Sequence, residues 1–354
     1  MQIGFDAKRY FHNHTGLGNY ARTLVDGLKK NFSECQYRLY DEKTLRRTFS
    51  QGALAQREGC DLYHGLSNEI PLDSVKIGIP TLVTIHDVAW RTFPDMYHRI
   101  DRMLYDWKYG WAARHATRVV AISESTKRDV QRFYGVPDER ISVVYQPVQE
   151  LFYTPMDEAL AWETASSSIP GLPRDFLLSV GSVNSRKNLM AVLQAMSLIP
   201  AENRMSLVVV GSGREYMEKC RSFAEQHLRK GDVRWLSQLN DSKRLQALYT
   251  CARVMVYPSF YEGFGLPVVE AALQGTPVLT STISSLPEAA GPDACLVDPH
   301  AKDAPLQMAE HLNTLCSDRT KAEQIGKAMQ TYARNTFAPD ILMKQMMDLY
   351  LEMA

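Results

Sequence analysis

No stretch of this 354-residue sequence stays apolar for anything near the ~20 residues that a bilayer-crossing helix needs. Met1 to Phe5 reads directly as a strand, without the basic segment and long apolar core of a secretory leader, so neither a membrane span nor a leader is expected. Cysteine is sparse. Cys35, Cys60, Cys220, Cys251, Cys295 and Cys316 form no C-x-x-C pair and have no histidines at metal-ligand spacing, which argues against a metal centre and fits a reducing cytoplasm. The sequence has no D-x-D, and its 40 Lys and Arg are balanced by 40 Asp and Glu, so no global basic field points to nucleic acid. What is present is the profile of a globular protein, 45% hydrophobic and 23% charged, with length enough for two domains.

Strand-like runs alternate with helix-like segments, which predicts an α/β architecture with parallel sheets. In the first half the strands fall at Gln2 to Phe5, Tyr37 to Tyr40, Asp61 to His64, Thr81 to His86, Arg118 to Ile122 and Ile141 to Val144. Gly16 and Gly18 precede a helix expected from about Asn19 to Lys30, in a short glycine loop of the kind that lets backbone approach a phosphate. Ile100, Met103, Leu104, Trp107 and Trp111 recur at helical spacing, so this face is expected to be buried on the sheet, with anionic lipid contact as the lesser alternative. Ser123 and Gly135 bracket another helix as N-cap and stop. The Pro-, Ser- and acid-rich stretch from Gln146 to Arg174 reads as a linker, dividing the chain into domains 1–150 and 172–337.

The densest information lies between Arg253 and Ser281. Val254 to Tyr257 reads as a strand covered on both faces, followed by a loop with Gly263 and Gly265 and a helix that begins near Pro267 and stops at Gly275. Such a loop sits at the carboxyl end of the strand, where open α/β sheets bind ligands, beside a helix start that favours anions. Glu262 precedes the helix and Glu270 lies one turn inside it, so the two carboxylates frame the loop. Earlier in the same domain, Arg186 and Lys187 stand at a predicted helix start. The positive end of the helix dipole already faces them there, so they make sense with an anion between. Gly211 and Gly213 suggest a dinucleotide loop, but Tyr216 stands where a third glycine is needed.

The spacing E-x7-E within P-S-x-Y-E-G-F-G-L-P, together with T-I-H-D and G-S-x-x-x-R-K-N, resembles family 4 of the retaining glycosyltransferases, and within it the bacterial mannosyltransferases of surface-polysaccharide assembly. The resemblance implies the GT-B fold: two Rossmann-like domains with parallel sheets facing across a cleft, the last helix, about 338–354, returning to the first domain. It implies a metal-independent transfer of a hexose from a nucleotide diphosphate sugar to a glycan or lipid-linked acceptor, with GDP-mannose the best-matched donor. Neither a metal nor another cofactor is implied. Glu262 and His86 would face the sugar, Lys187 would grip the diphosphate with Arg186 as a weaker partner, and Glu270 would hold the ribose. Phe264, Gly265 and Leu266 would offer backbone to the diphosphate, Gly16 and Gly18 would close over it, and Gly211, Gly213 and Leu239 would line the nucleotide pocket. Ser182 stands where many members carry arginine, which leaves more of the phosphate contact to Lys187. A GT-B epimerase and a non-catalytic nucleotide-sugar-binding protein are the rival readings. The expected setting is cytoplasmic, with peripheral contact at the inner face of the membrane as an added expectation.

Overall fold

The computed structural model describes the chain except His14, Thr15, Glu42, Lys43, Ser237, Gln238 and Asn240, and the side chains of Thr44 and Ser168. It divides into two compact units, Met1–Gln149 with Phe337–Ala354, and Glu150–Thr336.

Unit 1 is built on β1 (Gln2–Asp6), β2 (Gln36–Tyr40), β3 (Leu62–Gly65), β4 (Thr81–Ile85), β5 (Arg118–Ala121) and β6 (Ile141–Val143), in the order β2-β1-β3-β4-β5-β6. Every pairing is parallel. The strands are short apolar runs because helices cover the sheet, and β3 and β4 are buried along their whole length. The final helix, Pro339–Met353, packs on the helix Gly16–Asn31. Gly27 makes room there, because its missing side chain would meet the Met343 sulfur at 2.8 Å. Tyr350 is fully buried and hydrogen-bonds His64 Nδ1 at 2.7 Å, while His64 Nε2 and the Tyr20 hydroxyl meet at the Thr84 hydroxyl, 2.8 and 2.9 Å away.

Unit 2 is built on β7 (Phe176–Val180), β8 (Ser206–Val210), β9 (Val233–Leu236), β10 (Val254–Tyr257), β11 (Val278–Ser281) and β12 (Cys295–Val297), in the order β12-β11-β10-β7-β8-β9, again all parallel. This is the doubly wound order of dinucleotide-binding sheets. Its crossovers reverse direction between β7 and β10, which makes the carboxyl ends of these two strands the switch point of the sheet.

Three local expectations need correction. The stretch 146–174 is not a plain linker, because Asp157 caps a helix, Glu158–Ser168, by accepting from the Ala159 and Leu160 amides at 3.0 and 3.1 Å. That helix packs on Ser242–Cys251 and lies in unit 2. Gly16 and Gly18 do not precede their helix but form its first turn. The helix Arg99–His115 is real, yet it turns the other way. Ile100, Met103, Leu104 and Trp107 are 80%, 73%, 46% and 51% exposed, while Tyr105 and Tyr109 pack inward against Trp90. Periodicity identifies an apolar face but not what covers it.

Candidate functional site

The switch point of unit 2 is made by two loops. After β7, Gly181 turns the chain at φ +128, and Asn184 accepts from the Lys187 amide at 3.2 Å, folding Ser185–Lys187 into a tight turn. Asn188 then takes the left-handed conformation, φ 55, before the helix Leu189–Leu198 begins. A non-glycine residue held there costs on the order of 1 kcal/mol, and the result is that Arg186 and Lys187 are presented side by side at the head of the helix. After β10, the chain runs through Glu262 to Gly265, whose φ of +109 is a conformation that side-chain-bearing residues rarely adopt. The helix Leu266–Leu273 starts there with Pro267 in its first turn. The loops are sewn together by the Phe260 amide, which donates to the Arg186 carbonyl at 2.8 Å.

The two loops meet at one carboxylate. Glu262 Oε1 lies 2.6 Å from Lys187 Nζ and 3.0 Å from the Arg186 guanidinium, with the residue 9% exposed. Lys187 also donates to the Tyr257 hydroxyl, and Arg186 to the Tyr261 carbonyl. Burial alone would raise the Glu262 carboxyl, but Lys187 and Arg186 outweigh it and hold the group below its ordinary value. Ser285 braces the loop by donating to the carbonyls of Glu262 and Phe264 at 2.9 and 2.8 Å, and the Glu262 amide donates to Ser284 at 3.2 Å. The anion that the paired cations call for is thus partly supplied from within. Two cations share one carboxylate.

Glu270, one turn inside its helix, is in a different environment. Burial pushes its carboxyl up to about 7, opposed only in part by the Tyr249 hydroxyl, which donates to it at 2.9 Å. A carboxyl poised there can change protonation when a hydroxyl-bearing ligand arrives. The two acids that frame the loop are therefore unlike: Glu262 is fixed as an anion, whereas Glu270 is free to titrate.

His86 belongs to unit 1. It follows β4 directly and is buried, with Nε2 2.9 Å from the Leu66 carbonyl, the Tyr20 ring edge-on at 4.6 Å, and its amide donating to Asn68 Oδ1 at 2.8 Å. Burial drives its pKa down to about 4, so the ring is neutral near pH 7. A neutral imidazole that donates through Nε2 keeps Nδ1 as an acceptor.

Gly18 is needed for packing, because a side chain there would strike the Asn13 carbonyl, whereas Gly16 meets nothing nearby. Gly211 and Gly213 have a similar role. They let the loops after β7 and β8 lie backbone to backbone, with the Val183 amide donating to the Ser212 carbonyl at 2.8 Å. Tyr216, where a third glycine was sought, receives the Met190 amide at 3.0 Å. Leu239 is half-buried, and its neighbours in sequence lie outside the described residues, so no geometry at the site attaches to it. Asp241 caps the helix Ser242–Cys251, accepting from the Lys243 amide at 2.9 Å. Among the described residues no group of His, Cys, Asp and Glu is arranged to hold a metal ion. Tyr257, Tyr249 and Ser285 are site residues that the sequence reading missed. Tyr257 was absorbed into an apolar strand, and the other two act across long separations.

Residues 164–332 match the family described as glycosyl transferases group 1, and residues 31–150 match that described as glycosyltransferase family 4. The O-antigen chain mannosyltransferase B of Escherichia coli is 32% identical over 256 residues, covering 69% of this chain and 62% of that protein. A serotype-specific mannosyltransferase, WbdA of Escherichia coli, is 32% identical over 189 residues, 52% of this chain and 23% of its own length. The matched stretch thus spans less than two thirds of these curated relatives. Among solved structures, Anabaena Alr3699/HepE in complex with UDP and glucose superposes with a TM-score of 0.75 at 17% identity, covering 99% of this chain and 100% of the other. Sucrose-phosphate synthase (tll1590) from Thermosynechococcus elongatus gives 0.75 at 20% identity, covering 99% and 98%. At these identities the likeness is one of fold.

Proposed function

Because the chain belongs to family 4 of the glycosyltransferases and has the GT-B fold, we propose that it transfers a hexose, with retention and without a metal, from a nucleotide diphosphate sugar to a glycan or lipid-linked acceptor. The carrying observation is the Lys187, Arg186 and Glu262 cluster at the switch point of unit 2. Transfer breaks the bond between the anomeric carbon and the diphosphate oxygen and forms one to an acceptor hydroxyl, so negative charge gathers on the departing phosphate. Lys187, already aimed by Glu262 and Tyr257, stabilises that charge where a cation is needed. His86 receives a sugar hydroxyl as an acceptor, and Glu270 takes the ribose hydroxyls. The matched mannosyltransferases support mannose as the sugar, and GDP-mannose is the donor proposed with it. Calorimetric titration with a panel of nucleotide sugars tests this: GDP-mannose should bind and be consumed only when acceptor is present. Tight binding of a uridine donor with no response to GDP-mannose would overturn the mannose assignment. Turnover of donor alone would favour an epimerase, and binding without any turnover a sensor.

Donor affinity should depend on pH through Glu270. Ribose hydroxyls donate to the ionised carboxylate, and a carboxyl near 7 is mostly protonated at about pH 6 and mostly ionised at about pH 8, so affinity should rise roughly tenfold across that interval. Glu270→Gln should flatten the profile. A slope that survives the substitution would assign it to another group.

The exposed stripe on Arg99–His115 supports contact with an anionic bilayer at the inner face of the cytoplasmic membrane. Ile100, Met103, Leu104 and Trp107 form the apolar strip, and exposed Arg99 and Arg114 flank it on the same helix. These exposed cations are matched to acidic headgroups. Flotation with phosphatidylglycerol vesicles should retain the protein at low salt, and Ile100→Ser with Met103→Ser should release it. Equal retention by neutral vesicles, or none by anionic ones, would remove this assignment.

A further inference from the structure

A line of polar side chains runs through the core of unit 1. The Tyr350 hydroxyl bonds His64 Nδ1 at 2.7 Å, His64 Nε2 bonds the Thr84 hydroxyl at 2.8 Å, and Thr84 bonds the Tyr20 hydroxyl at 2.9 Å. These four residues come from the final helix, β3, β4 and the helix Gly16–Asn31. None is more than 1% exposed, so solvent does not compete for the bonds.

The line ends against His86. Thr84 and His86 are two residues apart, and Tyr20 spans them, with its hydroxyl on the first and its ring against the second at 4.6 Å and 87°. That is a favourable edge-to-face distance for two aromatic rings. The Leu66 carbonyl holds one corner of the His86 imidazole through Nε2, but a single hydrogen bond leaves a ring free to turn about it. The Tyr20 ring supplies the second restraint, which is the plane.

Packing alone does not call for these residue types. Phenylalanine at 20 or 350 would fill nearly the same space with no hydroxyl to satisfy, and an apolar residue at 64 would avoid burying an imidazole. What the polar groups add is direction, because a satisfied buried network holds its members to one arrangement. His64 also passes that direction on. Burial drives its pKa down to about 3, so the ring is neutral near pH 7, donating through one nitrogen and accepting through the other. Whichever role Nδ1 takes with Tyr350, Nε2 takes the opposite one with Thr84.

We propose that Tyr350, on the final helix, is a positioning residue for His86, acting through His64, Thr84 and the Tyr20 ring. The importance of His86 to turnover rests on the transferase reading above; its placement by Tyr350 does not.

The test follows the ring resonances of His86 in the full-length chain labelled at histidine, assigned by their absence from His86→Gln. Tyr350→Phe, which deletes one oxygen three hydrogen bonds from the Tyr20 ring, should move them. It should also lower donor-saturated turnover roughly tenfold, part of the ~10²-fold that an ångström of misplacement costs, and leave nucleoside diphosphate affinity unchanged. Tyr20→Phe cuts the line at its other end and should do the same, which keeps the test intact if a variant at 350 fails to fold. Tyr37→Phe is the control for simple destabilisation. Its hydroxyl donates to the carbonyls of Leu28 and Phe32 at 3.1 and 2.8 Å, so its loss should lower the melting temperature about as much as Tyr350→Phe does, by ~2–4 °C, without moving His86 or turnover. Wild-type His86 resonances in both Tyr350→Phe and Tyr20→Phe would overturn the proposal, as would an equal displacement in Tyr37→Phe. Moved resonances with full turnover in Tyr350→Phe, against impaired turnover in His86→Ala, would overturn it too, since the displacement would then not matter to the reaction. Full turnover in His86→Ala would instead sink the sugar-facing role of His86, and moved resonances in Tyr350→Phe would still establish the link between the two residues.

Discussion

Replacing Lys187 by alanine should lower donor-saturated turnover by ~10²-fold or more, with a smaller loss of ground-state donor affinity. The ammonium lies beside the Glu262 carboxylate at 2.6 Å and over the Tyr257 ring at 4.5 Å, so its position is set before any donor arrives. On the proposed reading, the helix start and Arg186 would already screen the diphosphate charge of a bound donor. As the glycosidic bond breaks, further charge reaches the leaving oxygen, and a preset cation is worth most at that moment. Lys187→Arg should recover part of the loss, because charge is kept while the geometry changes. The comparison needs single-turnover rates alongside nucleotide affinity, with folding checked by thermal melting. Wild-type turnover in Lys187→Ala would remove the lysine from the reaction.

Glu262→Gln should act in two opposite directions. Turnover should fall, by ~10²-fold if the carboxylate meets the sugar as charge develops there. Affinity for the bare nucleoside diphosphate should rise, by roughly tenfold, the ratio that ~1.4 kcal/mol of lost competition corresponds to. The reason is that Lys187 and Arg186 both engage Oε1, and a neutral amide releases them to the phosphates. The empty variant should also melt earlier, since two partly buried cations lose their counter-ion, and nucleoside diphosphate should restore it. A simultaneous fall in turnover and in nucleoside diphosphate affinity would mean that Glu262 holds the loop together and does not face the sugar. The double variant with Lys187→Ala should be far from additive, because each side chain sets the environment of the other.

The strand, loop and helix around Glu262 were legible because their signals are local. Gly265 needs its φ of +109 within the loop itself, and Gly275 ends the helix just beyond it. Lys187 was legible for an electrostatic reason, since cations at a helix start imply an anion. The sequence offered no sign that the first anion would be Glu262 itself, 75 residues further on. Tyr249, 21 residues from Glu270, and Ser285, 23 from Glu262, were invisible for the same reason: tertiary contact selects them, not spacing. The stripe from Ile100 to Trp107 failed differently. Its period was read correctly, but an apolar face that meets solvent has the same period as one that meets a sheet. The stretch before Arg174 was misread by composition, where Ser166 to Ser168 outweighed the Asp157 cap.

Because the helix Pro339–Met353 belongs to unit 1, the order of synthesis differs from the order of assembly. A ribosome making this chain completes all six strands of the first sheet early, yet Tyr20, His64 and Thr84 then wait beneath a gap that only Tyr350 and its neighbours fill. Glu150–Thr336 emerges as a continuous piece and has all its own strands before that helix exists. The unit translated first is therefore the unit finished last, and a nascent chain holding a complete second unit still exposes part of the first unit's core.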